Sequence, residues 1–163
     1  MTIFIALASG RIVHAVEGRS KEAITPFLKV LKTKAHRLKA IAMDMSHAYF
    51  WAVNEILPNV DVVFDHYHIA ALMNRAVDEV RRQQYQLLED SGKQVLKGSR
   101  YLLLRNYEAV DDDHKARLMD LLKVNVPIYT IHTMKEQLRL FWQCEDRNKA
   151  KGFIETWCQD AMK

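Results

Sequence analysis

Cysteine, proline and glycine are all scarce in this chain, at two, three and five among 163 residues. So few turn formers exclude a turn-rich all-β fold and a linker-like disordered segment. Two cysteines cannot build the disulfide framework of a small secreted domain. Cys144 and Cys158 lie in strongly helical sequence, where a continuous helix would set them about four turns apart on one face, too far to bridge. They read as reduced thiols of a cytoplasmic protein. No apolar run approaches the ~20 residues of a membrane-spanning helix, and no secretory signal is visible, so no membrane partner is expected. Charge of one sign is also in short supply. A formal net charge of +4 permits an anionic partner without demanding one.

What is present is an ordinary globular composition, 49% hydrophobic and 27% charged, in a chain long enough to bury a core. Its character changes once, near residue 70. Thr2 to Leu7 and Arg11 to Val16 read as strands joined by a tight turn at Ser9-Gly10. Ser20 offers an N-cap to a helix with Ile24, Phe27, Leu28 and Leu31 at helical spacing. Pro26 sits awkwardly there, so either that helix begins at Thr25 or its first turn is distorted. Leu38 to Met43 is an almost continuous apolar run, as in a strand buried on both faces. Ser46 caps a second helix with Tyr49, Val53, Ile56 and Leu57 inward; Pro58 ends it, and Val60 to Phe64 forms a fourth strand. That order implies an α/β sheet whose last two strands are parallel. From Ile69 on, amphipathic helical patterns take over, in succession through Val80, Leu122, Phe141 and Ala161. The expected division is therefore an α/β part, residues 1–68, and a helical part, residues 69–163.

The most informative pattern occurs twice. Asp44 follows the third strand and Asp65 the fourth, each with a histidine three residues on: Asp44-Met45-Ser46-His47 and Asp65-His66-Tyr67-His68. Functional groups of parallel sheets collect beyond the carboxyl ends of strands. If each segment turns helical at its aspartate, positions i and i+3 share a face, and Asp44, Asp65 and His68 can meet at one end of the sheet. Clustered carboxylates suit a hard cation such as Mg²⁺, which leaves positions open for phosphate oxygens and water. The plainer reading is that an aspartate after a strand caps a helix or makes a turn, and that His47 is an exposed helical residue. An extended His66-x-His68 would put two imidazoles on one side, as in some zinc sites, but no third or fourth ligand is apparent.

Other features favour structural readings. Asp111-Asp112-Asp113 precedes a helix, where acids complement the dipole. Trp51, Trp142 and Trp157 lie in helical patterns and suit packing. Lys93, Lys97, Arg100 and Arg105 form the most basic stretch. The first three are expected to share a helical face, which would suit DNA phosphates, although a solvated basic face is the plainer reading.

Taken together, several segments resemble the insertion-sequence transposases of the ISL-three family. They are Ala40 to Ser46, Tyr49, Leu57-Pro58-Asn59-Val60, Val63 to His68, Leu96 to Leu104, Trp142 with Cys144, and Trp157. The resemblance covers essentially the whole chain; Mutator-type transposases share the Asp, Pro and x-x-His pattern more loosely. It implies an incomplete ribonuclease-H-like mixed sheet followed by an all-helical insertion lobe. It also implies an Asp-Asp-Glu triad holding Mg²⁺ or Mn²⁺, with Asp44 as the second acid, both catalytic and a metal ligand. Asp65 and His68 then fall on a motif beside the active site. The enzyme so implied nicks insertion-sequence ends and joins the freed 3′-hydroxyl to target DNA.

Within the family pattern the first acid belongs to a strand before Thr2 and the third to a helix beyond Lys163; Glu145 and Glu155 match neither. The expectation is a transposase fragment that keeps one triad residue and is inactive alone, so that its standing as an enzyme is open. The missing strand would lie mid-sheet, between the hairpin and Leu38 to Met43. Its loss exposes ladder hydrogen-bonding groups, so the sheet is expected to rearrange or the chain to self-associate. The alternative is a non-catalytic protein that pairs only with itself or with the full-length enzyme. Which element it mobilises, and the roles of His47 and His66, stay open.

Overall fold

The computed structural model describes residues 1–162, the side chain of Ser91 aside. It divides into two compact units, one ending at Ile69 and one beginning at Ala70. The helical expectation for residues 69–163 includes Lys163, which lies outside the described residues.

The first unit is mixed α/β. Strands β1 (Thr2–Ala6) and β2 (Arg11–Val16) form an antiparallel hairpin whose register shifts between Phe4 and Ile5. Ser9 and Gly10 N–H groups both donate to the Ala6 carbonyl, and Gly10 adopts φ 66° to close the turn, a conformation glycine enters without steric cost. Helix α1 (Lys21–Lys32) begins where Ser20 accepts a hydrogen bond from the Ala23 N–H. Pro26 lies inside it, so the helix does not start at Thr25. The missing proline N–H orphans only the carbonyl of the exposed Glu22, which water can satisfy, while Thr25 Oγ1 donates to the Lys21 carbonyl at 2.8 Å. A short 3₁₀ turn, Ala35–Arg37, leads to β3 (Ala40–Met43). Helix α2 (His47–Ile56) then crosses to β4 (Asp61–Phe64), which pairs with β3 in parallel.

The strands form two separate two-stranded sheets, β1–β2 and β3–β4, with no ladder between them. Both lie on one core. Ile24 and Leu28 of α1 pack with Ala52, Val53, Ile56, Leu57 and Val60, and Phe4, Val16, Ile41, Met43 and Val62 cover that cluster. Fully burying a side chain such as Leu28 contributes about 2 kcal/mol. Thr2 ties β1 to α2: its hydroxyl lies 2.7 Å from the Tyr49 hydroxyl and 2.7 Å from the Gly18 carbonyl. The opposite face of the strands is open. Ile3, Ile5, Ile12 and Val63 are exposed, and so are Ala40 and Ala42. The expectation that the third strand is buried on both faces is therefore wrong, because nothing in this unit covers its outer side.

Helix α3 (His66–Leu87) leads into the second unit, whose other helices are α4 (Asp90–Leu96), α5 (Arg100–Leu104), α6 (Asp112–Val124), α7 (Val126–Phe141) and α8 (Arg147–Ala161). Caps set their ends. Asp111 accepts from the His114 N–H, Asn125 from the Ile128 N–H, and Asp146 from the N–H groups of Asn148 and Lys149. Asn125 both ends α6 and starts α7, and its side-chain amide donates to Gln84 at 3.1 Å. Buried leucines at 96, 102, 103, 118, 121, 122 and 138 supply the apolar interior. Lys135, only 4% exposed, donates to the carbonyls of Leu103 and Arg105 and pairs with Glu136 at 2.8 Å. It thereby satisfies carbonyls at the end of α5, which a five-residue helix leaves unpaired. Trp157 packs and donates its Nε1–H to the Met134 carbonyl at 3.0 Å. Cys144 and Cys158 do not share a helix, since α7 ends at Phe141 and α8 begins at Arg147; both are free. Among the described residues no helix is long and apolar enough to cross a membrane.

Candidate active site at the strand ends

The parallel pairing of β3 with β4 sets Met43 opposite Phe64, so Asp44 and Asp65 leave adjacent strands at the same level. The Asp65 N–H donates to the Met43 carbonyl at 2.9 Å. Both aspartates thus emerge at the carboxyl edge of the sheet, as the apolar runs before them imply.

Their side chains differ. Asp65 is the residue before α3. One oxygen accepts the Tyr67 N–H at 2.9 Å and the other lies 2.9 Å from His68 Nδ1. The Tyr67 N–H first, and His68 second, hold the Asp65 carboxyl below its ordinary value. Asp65 and His68 share a helical face, as the i, i+3 spacing implies. His66 and His68 are both helical, so the extended geometry needed for a His-x-His zinc pair is absent. Asp111 and His114 form the same arrangement at the start of α6, with the Asp111 carboxylate 2.6 Å from His114 Nδ1. Among the described residues the Asp-x-x-His pair is thus a helix-start device used twice, and at Asp111 it bears out the capping reading of the acidic run.

Asp44 is not a cap. Helix α2 starts at His47, and Met45 and Ser46 intervene in extended or bent backbone, so Asp44 and His47 share no helical face. Ser46 takes the cap position without a side-chain bond. The Asp44 Oδ1 atom is shielded from solvent and has no hydrogen-bond partner. A buried carboxylate oxygen without a donor is costly, and a hard cation relieves that cost. As a single oxygen ligand Asp44 fits a divalent ion; each Asp65 oxygen already accepts one hydrogen bond and keeps a second lone pair, so Asp65 has less need of a cation than Asp44. Among the described residues no three His, Cys, Asp or Glu side chains group to hold a metal.

The basic stretch is not one face. Helix α4 ends at Leu96, Gly98 turns with φ 70°, and α5 begins at Arg100, so Lys93, Lys97 and Arg100 are not aligned. Lys93 pairs with Asp90, Arg105 caps the end of α5, and Arg100 reaches Asp78. Sequence reasoning missed the group that Arg100 joins. Asp78, Arg81 and Arg82 stand at i, i+3 and i+4 on α3, and that spacing was the available signal. It also missed a cavity of about 350 Å³ in the helical unit, lined by His132, Glu136, Arg139, Tyr107 and Leu140 among others.

With these features in place, the chain can be set against known proteins. A family model described as transposase, of the ISL-three group, matches residues 1–163. The chain belongs to the ISL-three transposase family. The transposase for insertion sequence element IS1001 of Bordetella parapertussis is 36% identical to this chain over 164 residues, 98% of the chain and 40% of that protein. The transposase for insertion sequence element IS1557 of Mycobacterium tuberculosis is 23% identical over 187 residues, spanning the whole chain and 42% of the relative. The ISL-three chain thus spans about two-fifths of the length of these curated relatives. No solved structure matches it.

Proposed function

We propose that this chain is the central region of an insertion-sequence transposase, with Asp44 as a carboxylate ligand to a catalytic Mg²⁺ or Mn²⁺. The observation that carries the reading is the buried, unpartnered Asp44 Oδ1 at the carboxyl end of β3, in a chain of the transposase family. The first unit is then part of a ribonuclease-H-like core and the helical unit an insertion lobe. DNA ends and target DNA are the substrates, handled in the cytoplasm. When bound, the cation would polarise the phosphodiester and activate the attacking oxygen. Asp44 contributes the negative charge and the fixed oxygen that hold it. Asp65 and His68 start α3 and keep that strand end rigid beside Asp44.

Among the described residues no three His, Cys, Asp or Glu side chains group around Asp44, and this reading expects the chain alone to be inactive. The test is incubation with supercoiled DNA and Mg²⁺ or Mn²⁺, read as nicked product. No nicking is expected. Cleavage that disappears with Asp44→Asn would contradict the inactivity, and cleavage that ignores Asp44 would contradict its role.

A second reading, a non-catalytic chain that associates with its own kind, is favoured by one observation. The two strand pairs share no ladder, so β1 and β3 each keep an edge that another strand can pair.

A further inference from the structure

We propose that Asp78 organises Arg81, Arg82 and Arg100 into a binding site for the phosphodiester backbone of duplex DNA; the inference rests on the transposase reading and adds to it where DNA is held. Arg81 contacts Asp78 Oδ1 at 2.8 Å through a terminal nitrogen and at 2.9 Å through Nε. Arg82 and Arg100 both approach the other oxygen, Oδ2, at 3.4 Å through Nε. The carboxylate is nearly enclosed, with 12% of its side chain exposed, whereas Arg82 and Arg100 are 65% and 51% exposed. Burial alone would raise the Asp78 carboxyl, but the Arg81 hydrogen bond and the three guanidinium charges hold it below its ordinary value.

Three guanidinium groups against one carboxylate leave positive charge uncompensated. Like charges gathered around one anion repel, and a second anion offsets that repulsion. The donors are suited to it. A guanidinium carries five N–H groups in a fixed fork that matches phosphate oxygens. With Nε turned to Asp78, the terminal nitrogens of Arg82 and Arg100 make no hydrogen bond to another described residue. Two guanidiniums sharing one carboxylate oxygen lie close enough to address one phosphodiester. The flanking surface has the same character. Tyr101 is 71% exposed beneath the Arg100 guanidinium, 5.5 Å from ring centroid to Cζ, and Arg117 donates to the Lys97 carbonyl just before this segment. A plain stabilising role for the cluster would need Arg100, which ties α5 to Asp78 of α3, and Arg81, whose two contacts hold the Asp78 carboxylate in place. It would not need Arg82, an exposed partner on the same helix whose pairing contributes little.

The experiment is fluorescence anisotropy with the whole chain and a labelled duplex of about 30 base pairs, across roughly 50 to 200 mM salt. Wild-type protein is expected to bind with an affinity that falls as salt rises. Arg82→Ala should reduce the logarithmic salt slope by about one and the Arg82→Ala/Arg100→Ala pair by about two. The melting temperature of Arg82→Ala should stay within about 2 °C of wild type. Lys29→Ala, an exposed change in the other unit, should leave the slope unchanged. Wild-type binding that the arginine variants do not weaken, an equal loss in Lys29→Ala, or no wild-type binding at all would each overturn the site. The Asp44 reading is tested separately, by Mn²⁺ binding to wild type and Asp44→Asn, so failure at the arginines leaves it standing, and the converse holds.

Discussion

The backbone N–H of Asp65 donates to the carbonyl of Met43 at 2.9 Å, extending the β3–β4 ladder past the last paired residues to the level of both aspartates. That bond sets Asp44 and Asp65 side by side while letting their side chains diverge. One goes to the start of a helix, and the other to a shielded position with no donor.

The Asp65 carboxyl is predicted to titrate below the ordinary carboxylate range, chiefly through the Tyr67 N–H and next through His68. Because its folded value is lowered, its contribution to stability is present above the unfolded value of about 3.9 and is lost as pH falls through the folded one. His68→Ala removes the smaller cause alone. Carboxyl-carbon NMR should therefore find the Asp65 midpoint raised only part of the way to its ordinary value in that variant. An unshifted midpoint would mean that His68 does not pair with Asp65 in solution.

His132 gives the helical unit its own acid limit. Burial first, then the Lys135 charge, push its imidazole down to about 4, against the pull of Glu136. The unfolded histidine takes up a proton near pH 6.5, which the folded one refuses until about 4. Stability from this group is thus complete above about pH 6.5 and is lost as pH falls toward 4, by about 3 kcal/mol in all. Urea unfolding at about pH 7.5 and about pH 4.5 should find this loss in the wild type and a much smaller one in His132→Gln. Equal losses in the two proteins would remove His132 as the cause.

Much of the first unit was legible from sequence because its signals are local. The apolar runs before Asp44 and Asp65, and Ser20 ahead of a helical repeat, need no tertiary knowledge to read. What failed was decided elsewhere. Pro26 is tolerated inside α1 because the carbonyl it orphans belongs to an exposed residue of the first turn. Lys97 leaves the expected basic face because Gly98 breaks the helix. The doubled Asp-x-x-His pattern looked like one motif used twice at the strand ends. Two residues of non-helical backbone after Asp44, against none after Asp65, make the two sites chemically different. The Asp78 cluster was half visible, since i, i+3 and i+4 spacing is local but its link to Arg100 is not.

Open strand edges predict self-association. Ile5 is 51% exposed on β1, and a lysine there should discourage edge pairing. Sedimentation velocity at micromolar concentration should find wild type partly dimeric and Ile5→Lys monomeric, with equal helix content by circular dichroism. A wild-type chain that stays monomeric as concentration rises would contradict this.

The most direct test of the central claim is Mn²⁺ titration followed by the methyl resonances of Met43 and Met45, which flank Asp44 in the chain. The account predicts that Mn²⁺ broadens these two signals in the wild-type protein before those of the helical-unit methionines, and that Asp44→Asn abolishes the preference. Broadening that is uniform across the methionines, or that persists in Asp44→Asn, would contradict Asp44 as the cation ligand.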